Sequence, residues 1–258
     1  MATFGAYLRK ETLESMRQHR YLVVGAFFLF FSVSTPILLK LMPAIVRSQM
    51  PEFPEALMRF DPAYVCENYI RNMFQLGNLL VAFLLMGALA DELAQNKLVF
   101  PVSQGADPKA VVLAKLLHYG IVVAAGAFLG FLVVYYYALA LFSGDSPTLA
   151  EAFRSATLLS AYFVTRVFLV VFLSSLFRRP LAAGLIALLV SYLDPLLYSL
   201  PRFRNYISYS LISDAATLGR ISQGVNGWVL ATALIVQLAA VAALTVWRMN
   251  RVEVVSRS

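Results

Sequence analysis

The chain has 258 residues, of which 60% are hydrophobic and only 14% charged, and its mean hydropathy is +0.73. Soluble domains contain about 45–50% apolar and 25% charged residues, so this composition excludes a water-soluble globular protein. The formal net charge of +7 does not indicate a nucleic-acid partner, because the cations are scattered between apolar runs and form no stripe. One cysteine and two histidines exclude an internal disulfide, a cysteine-based metal site and a histidine cluster.

Residues 1–20 precede the first apolar run and predict a basic helix. Its cations are Arg9, Lys10, Arg17 and Arg20, and its apolar set is Phe4, Tyr7, Leu8, Leu13 and Met16. A helix of this kind can lie on the inner leaflet of a membrane as an interfacial helix. Because Leu13 falls on the wrong side of the apolar face, an ordinary solvated cytoplasmic helix fits the pattern equally well.

Six apolar runs follow, each long enough to cross the roughly 30 Å hydrocarbon core of a bilayer as a helix. They cover residues 21–39, 72–90, 116–142, 155–177, 181–200 and 228–247. The second run begins with polar residues, so its first turn or two are expected above the membrane. The sequence therefore predicts a single-domain, all-α integral membrane protein, residues 1–258, with six transmembrane helices.

The positions of the cations predict the orientation of these helices. With the N-terminus inside, the cytoplasmic segments hold 12 basic and 6 acidic residues, and the rest of the chain holds 9 basic and 8 acidic residues. Nearly all the net charge is then cytoplasmic, as the positive-inside rule requires. Trp228 and Trp247 bracket the last run, as interfacial aromatic residues do. We expect a multi-pass protein of the cytoplasmic membrane with both termini inside.

Catalytic motifs are missing from the sequence. It contains no glycine-rich phosphate-binding loop, no H-E-x-x-H zinc motif, and no set of serine, histidine and acid that six spans would assemble into a protease. His118 stands alone near the start of the third run and is interpreted as an interfacial side chain. The chain is therefore not expected to be an enzyme, and we assign it no catalytic residue, metal site or cofactor.

The loop at residues 91–115 is the most informative segment. It begins with an acidic residue pair, continues as a short amphipathic stretch, breaks at Pro101, and starts a new helix near Pro108. Leu98 and Phe100 have little reason to face water unless they contact lipid or a partner. An interfacial helix that merely closes a hairpin accounts for the same pattern.

This loop resembles the coupling-helix segment of the permeases of ATP-binding-cassette (ABC) type-2 transporters. That segment has an acidic residue, a short helix, Pro-[Val/Leu]-Ser, a small turn, and an apolar helix with a lysine near its start, and the matching residues are Glu92, Pro101, Ser103 and Lys115. Six spans, internal termini and a basic N-terminal helix extend the resemblance over nearly the full chain. The family often has Gly-Thr where this chain has Asn96 and Lys97, and an arginine where it has Gln104.

The resemblance implies a permease subunit that pairs with a second permease copy or a related permease, in a family that consists mainly of exporters. Two separate ATPase subunits would bind ATP and Mg²⁺ and would dock on a cytoplasmic coupling helix. The candidate docking residues are Glu92, Leu98, Phe100, Pro101 and Ser103. The alternative is a six-span membrane scaffold or assembly protein whose cytoplasmic loop recruits some other partner.

Two charged residues lie deep inside the fourth and fifth runs. Arg166 is about 18 Å and Asp194 about 21 Å from the inner ends of their helices, at 1.5 Å per residue. Because only the short stretch at residues 177–180 joins these runs, the helices must be antiparallel neighbours, and an ion pair is within reach. We expect this pair to fix the register of the two helices rather than to bind substrate or carry protons.

Overall fold

The structure is a computed structural model that describes residues 2–49, 60–97, 105–218 and 226–251. The described residues form helices and turns, and none of them forms a strand. The helices, in chain order, are α1 (Ala2–Arg17), α2 (Arg20–Gln49), α3 (Pro62–Asn72), a π-helix (Met73–Gly77), α4 (Asn78–Leu85), α5 (Ala90–Ala94), α6 (Pro108–Leu141), α7 (Leu149–Leu176), α8 (Pro180–Tyr198), a 3₁₀ turn (Arg204–Tyr206), α9 (Tyr209–Ala216) and α10 (Gly227–Arg251).

Six of these helical segments are long and apolar enough to span a membrane, which confirms the predicted number. They are Arg20–Gln49, Pro62–Ala94, Pro108–Leu141, Leu149–Leu176, Pro180–Tyr198 and Gly227–Arg251. The second segment is the least regular, since it contains α3, the π-helix, α4, a turn and α5. We conclude that the chain is an all-helical, multi-pass membrane protein.

Several helices extend beyond the predicted apolar runs because capping residues set their ends. Asp61 accepts a hydrogen bond from the Tyr64 backbone ahead of Pro62, so the second segment begins ten residues before the predicted start. Asp107 caps α6 in the same way through the Lys109 backbone, and Thr148 forms a capping box with Glu151 at the start of α7. The apolar runs indicate only the part of each helix that is suited to lipid.

Helix α7 lies at the centre of the bundle. It packs against α4, α6, α8, α9 and α10, while α6 also contacts α1, α2 and α3. Phe28, Tyr69, Phe131 and Phe163 are fully buried between these helices. Large apolar side chains such as Phe30 are exposed on the outer surface, as expected for helices that face lipid.

Successive spanning segments run in opposite directions. Because there are six of them, the start of the first and the end of the last lie at the same end of the bundle. This end, called the α1 end here, holds α1, α5 and the start of α6. Helix α1 is joined to α2 by a two-residue turn, Gln18 and His19, in which His19 has a φ of 55°. The predicted compartment of this end stays a prediction.

Candidate functional site

The α1 end contains a buried cluster of charged residues, called the α1 cluster, that joins three parts of the chain. Lys115 on α6 donates hydrogen bonds to Glu11 Oε1 at 2.7 Å and to Glu92 Oε1 at 3.1 Å. Lys10 donates to the same Glu92 oxygen at 2.5 Å, and the Tyr119 hydroxyl donates to Glu11 Oε2 at 3.0 Å. The cluster therefore ties α1 to the end of the second spanning segment and to the start of the third.

Polar contacts continue from this cluster along the side of α1 that faces α6. Ser15 lies one turn after Glu11, and its hydroxyl is hydrogen bonded to His118 Nε2 at 2.9 Å. Arg20, the first residue of α2, donates to the Tyr119 hydroxyl, and its guanidinium carbon lies 5.4 Å from the centre of that ring. The helix is thus held by its polar side.

The charges in the α1 cluster stabilise one another despite their burial. Burial opposes ionisation of Glu11, but Lys115 and Lys10 together with the Tyr119 hydrogen bond outweigh it, so the pKa of Glu11 lies below its usual value. Burial also opposes the charge on Lys10, but Glu92 and Glu11 outweigh it and raise the pKa of Lys10. Both groups are therefore charged at neutral pH, as a compensated buried network requires.

The cluster closes the predicted coupling loop at its base. Glu92 follows the start of α5 and Lys115 lies two turns into α6, so their contact joins residues near the two ends of the loop at 91–115. Glu92 was expected to face an ATPase, but only 7% of it is exposed and its Oε1 atom is shared by two lysines of this chain. An ion pair with a separate subunit would require Glu92 to leave these partners.

The other candidate docking residues, Leu98, Phe100, Pro101 and Ser103, lie outside the described residues. The predicted helix start near Pro108 is present, with α6 beginning at that residue. Helix α5 contains the acidic pair itself, residues 95–97 after it form a turn, and the rest of the expected short helix lies outside the described residues.

Three carboxylates at the α1 end come close enough to suggest a metal site. Oxygen atoms of Glu11, Glu14 and Glu92 lie within 4.8 Å of one another. Lys10 makes ion pairs with all three residues, and Lys115 pairs with Glu11 and Glu92. Because two ammonium groups already neutralise these oxygens, the geometry is that of a salt-bridge network and not of a divalent-cation site.

A second polar network lies within the spanning helices. The guanidinium of Arg166 on α7 pairs with the carboxylate of Asp194 on α8, and both residues are buried. Arg166 also donates to the Ser191 hydroxyl at 3.2 Å, and its guanidinium carbon lies 4.7 Å from the centre of the Tyr162 ring. The Arg166–Asp194 contact expected from the matched depths is thus present in the structure.

This network continues to the π-helix of the second spanning segment. The Asn78 amide donates to the Tyr162 hydroxyl at 2.8 Å and to the Phe74 carbonyl at 2.6 Å. Tyr192 donates to the Gln75 carbonyl at 2.9 Å, so α8 contacts the backbone of the π-helix directly. Single π-turns inside α-helices often occur at functional sites. The network therefore links α7 and α8 to an irregular turn of a third spanning segment.

Sequence reasoning did not identify the α1 cluster as a unit. Its signal was a pair of polar faces: Glu11 and Ser15 are four residues apart on α1, and Lys115, His118 and Tyr119 share one side of α6. Polar faces of this kind at the end of an apolar helix need either water or partners. The Asn78 and Tyr162 contact was not expected, because the polar start of the second run was interpreted as lying above the membrane, whereas Asn78 is buried.

The fold defines the class of the protein as an all-helical membrane protein with six potential spans. In comparisons with known proteins, no family model and no curated protein matches this chain. The function therefore has to be inferred from the sequence pattern of the loop at residues 91–115 and from the geometry of the two polar networks.

Proposed function

We propose that the chain is the membrane-spanning permease subunit of an ABC transporter, and that the transporter is an exporter. In this proposal two separate ATPase subunits bind and hydrolyse ATP, and a second permease copy or a related permease completes the translocation path. The α1 end faces the cytoplasm, and the ATPase subunits dock on the loop at residues 91–115.

The observation that carries the proposal is the closure of this loop by Glu92 and Lys115. A loop transmits the displacement of a bound partner only if the ends of the loop are fixed to the helices that must move. Here Lys115 contacts Glu92 at 3.1 Å and Glu11 at 2.7 Å, so the loop base is joined to the second and third spanning segments and to α1. This arrangement supports a role of the loop in mechanical coupling.

The buried position of Glu92 changes how the resemblance applies to this residue. Glu92 was the expected ion-pair partner of the ATPase, whereas its carboxylate oxygen Oε1 is held by Lys10 and Lys115. We therefore assign Glu92 a positioning role at the base of the loop. In this proposal, the residues in the middle of the loop, around Phe100, contact the ATPase directly.

Co-purification tests this proposal. The chain is expressed with the product of any neighbouring reading frame that contains a glycine-rich phosphate-binding loop and is purified in mild detergent. The captured ATPase is measured for wild type, Phe100→Asp and Phe203→Asp. Phe203 lies at the opposite end of the bundle with 46% of its surface exposed, so its variant is the matched control. We expect stoichiometric ATPase with wild type and Phe203→Asp, and loss of the ATPase with Phe100→Asp.

Glu92→Arg separates the positioning role from direct contact. Because it reverses a charge that is held between the buried Lys115 and the half-exposed Lys10, we expect it to lower the unfolding temperature of the chain as well as the amount of captured ATPase. If no ATPase is captured by a monodisperse wild-type chain, or if Phe100→Asp captures as much as wild type, the proposal is wrong. The six-span scaffold or assembly protein then becomes the leading function.

A further inference from the structure

Helix α10 has the least contact with the rest of the protein among the six spanning segments. Only 17% of its most apolar stretch is buried, against 28–56% of the corresponding stretches in the other five. It packs on α6 and α7, and one side of it holds its buried residues Leu230, Leu234, Thr245 and Met249. Most of the surface of α10 is therefore free to contact lipid or a second molecule.

Gln237 lies in the middle of this exposed helix. It follows Trp228 by nine residues and precedes Trp247 by ten, and these two tryptophans bracket the span. At 1.5 Å per residue, Gln237 lies within about 1 Å of the midpoint between them. The residue is exposed, so its amide projects from α10 near the centre of the hydrocarbon core.

The amide of Gln237 has no hydrogen-bond partner among the described residues. Thr232, also exposed on α10, shows the contrast, since its hydroxyl donates to the carbonyls of Trp228 and Val229 at 3.0 Å. Hydrocarbon offers neither donors nor acceptors, so an amide at this depth is costly until another polar group meets it. The described part of the chain leaves the Gln237 amide for a second molecule.

Small side chains flank Gln237 on the same side of the helix. Ala233 precedes it by four residues, Ala240 follows it by three, and Leu244, four residues further on, is 48% exposed. Alternating intervals of four and three are those at which one helix meets another over several turns. Because alanine lets two backbones approach closely, a second helix can come near enough to reach the Gln237 amide.

We propose that the amide of Gln237 pairs with the same amide of a second copy of this chain, so that two α10 helices lie side by side. The amide is complementary to itself, because it carries both hydrogen-bond donors and an acceptor. A two-fold axis along the membrane normal brings the same residue of two copies to the same depth. Glutamine hydrogen bonds of this kind join helices within membranes.

The inference goes beyond the proposed function, which leaves a second copy and a related permease open. It rests on that function only for the use of the pair, because the amide of Gln237 needs a partner whatever the bundle does.

Cross-linking of the full chain in the membranes of expressing cells tests the contact. Ala240→Cys keeps Gln237 and places a thiol on the same side of α10, whereas Ala239→Cys places a thiol at nearly the same depth but turned by about 100°. Both alanines are exposed. With an added oxidant, we expect Ala240→Cys to form a covalent dimer. Ala239→Cys, and wild type with its fully buried Cys66, should remain single chains.

The strength of the pair is measured with purified chains in phosphatidylcholine vesicles. FRET between donor and acceptor fluorophores attached through Arg202→Cys gives the dimer fraction at a series of protein-to-lipid ratios. We expect Gln237→Leu to raise the dissociation constant about tenfold, within the range of hydrogen bonds between membrane helices. Gln237→Asn keeps an amide and should recover part of this loss. Thr232→Val, whose hydroxyl is already satisfied within its own helix, should have no effect.

These substitutions lie at exposed positions, so the unfolding midpoints of the variants should match that of wild type. The inference is wrong if wild-type chains stay monomeric at every protein-to-lipid ratio, or if Gln237→Leu pairs as tightly as wild type. It is also wrong if thiols at positions 239 and 240 cross-link equally, which indicates random collision. A thiol at position 240 that cross-links to a different protein would show that this protein, and not a second copy, covers α10.

The outcome is independent of the ATPase capture. A monomeric chain that captures the ATPase overturns only the pairing of Gln237, and a related permease then supplies the second half of the transporter. A dimer that captures no ATPase supports the pairing and contradicts the transport proposal.

Discussion

Lys115 is the residue on which the α1 cluster depends most, because it contacts two carboxylates while only 3% of its side chain is exposed. Lys115→Ala removes this charge and leaves Glu11 and Glu92 with Lys10 alone. Breaking a buried ion pair from one side costs about 3–5 kcal/mol, so we expect a clear fall in the thermal unfolding midpoint in detergent. Lys109→Ala, at an exposed position on the same helix, should leave the midpoint unchanged, and equal midpoints for the two variants would contradict a structural role.

Glu11 makes the stability of the chain depend on pH in a defined direction. Its pKa in the folded chain lies below the ordinary value of 4.5, so it contributes stability above that pH and loses this contribution as pH falls through its folded pKa. We expect wild type to be more stable than Glu11→Gln at neutral pH, and the difference to shrink below about pH 4.5. Unfolding midpoints of both proteins across this range provide the measurement, and a difference that is constant with pH would show that the charge of Glu11 is not stabilising.

At the scale of elements, Gly77 at the end of the π-helix lies in close contact with Phe163 of α7. A Cβ atom at position 77 would lie 2.3 Å from Phe163 Cζ, and Phe163 is fully buried. Overpacking of this kind costs about 1–3 kcal/mol, so Gly77→Ala should lower the unfolding midpoint. Gly120→Ala meets no atom within 4 Å and is the control. The smaller side chain in Phe163→Leu should offset part of the loss caused by Gly77→Ala, and no recovery would argue against this contact as the cause.

Helices α7 and α8 are joined by the Arg166–Asp194 pair in the apolar interior. Arg166→Ala or Asp194→Ala alone leaves an unpaired buried charge, and we expect each to lower the yield of monodisperse protein strongly. The double variant Arg166→Met with Asp194→Leu removes both charges and should recover most of the yield, because apolar replacements of a buried pair are often close to neutral. A double variant that is no better than the worse single variant would show that the two residues do not act as a pair.

The sequence predicts the number of spanning helices better than it predicts where each helix begins and ends. Six spans are evident because each contains a long apolar run, and the Arg166–Asp194 contact follows from two depths and a short connection. Apart from the start of α6 near Pro108, the helix bounds do not follow, since residues such as Asp61 and Thr148 set them through capping hydrogen bonds that hydropathy does not measure.

The α1 cluster shows a second limit of the sequence. Lys10, Glu11 and Glu92 look like solvated charges because their partners lie 82 or 104 residues away along the chain. Only the packing of α1 on α6 turns them into a buried network. The resemblance drew attention to Glu92 as an exposed contact, whereas its chemistry in this structure is that of a residue bound within its own chain.

For the whole molecule, the distribution of charge predicts which end faces the cytoplasm. Arg179 lies between α7 and α8 at the α1 end, and Arg202 lies beyond α8 at the opposite end; both are exposed. In intact cells, we expect a membrane-impermeant maleimide to label Arg202→Cys but not Arg179→Cys, which should react only after lysis. Because the native Cys66 is fully buried, wild type provides the unlabelled control. The reverse pattern would invert the orientation.

The ion pair between Glu92 and Lys115 marks the boundary between the loop at residues 91–115 and the helices of the bundle. Residues between them are anchored at a base that the bundle itself provides, through Glu11 and Lys10 on α1. In the proposed permease, residues between Glu92 and Lys115 can therefore change with the partner subunit, while the ion pairs at the loop base that hold the helices together stay the same.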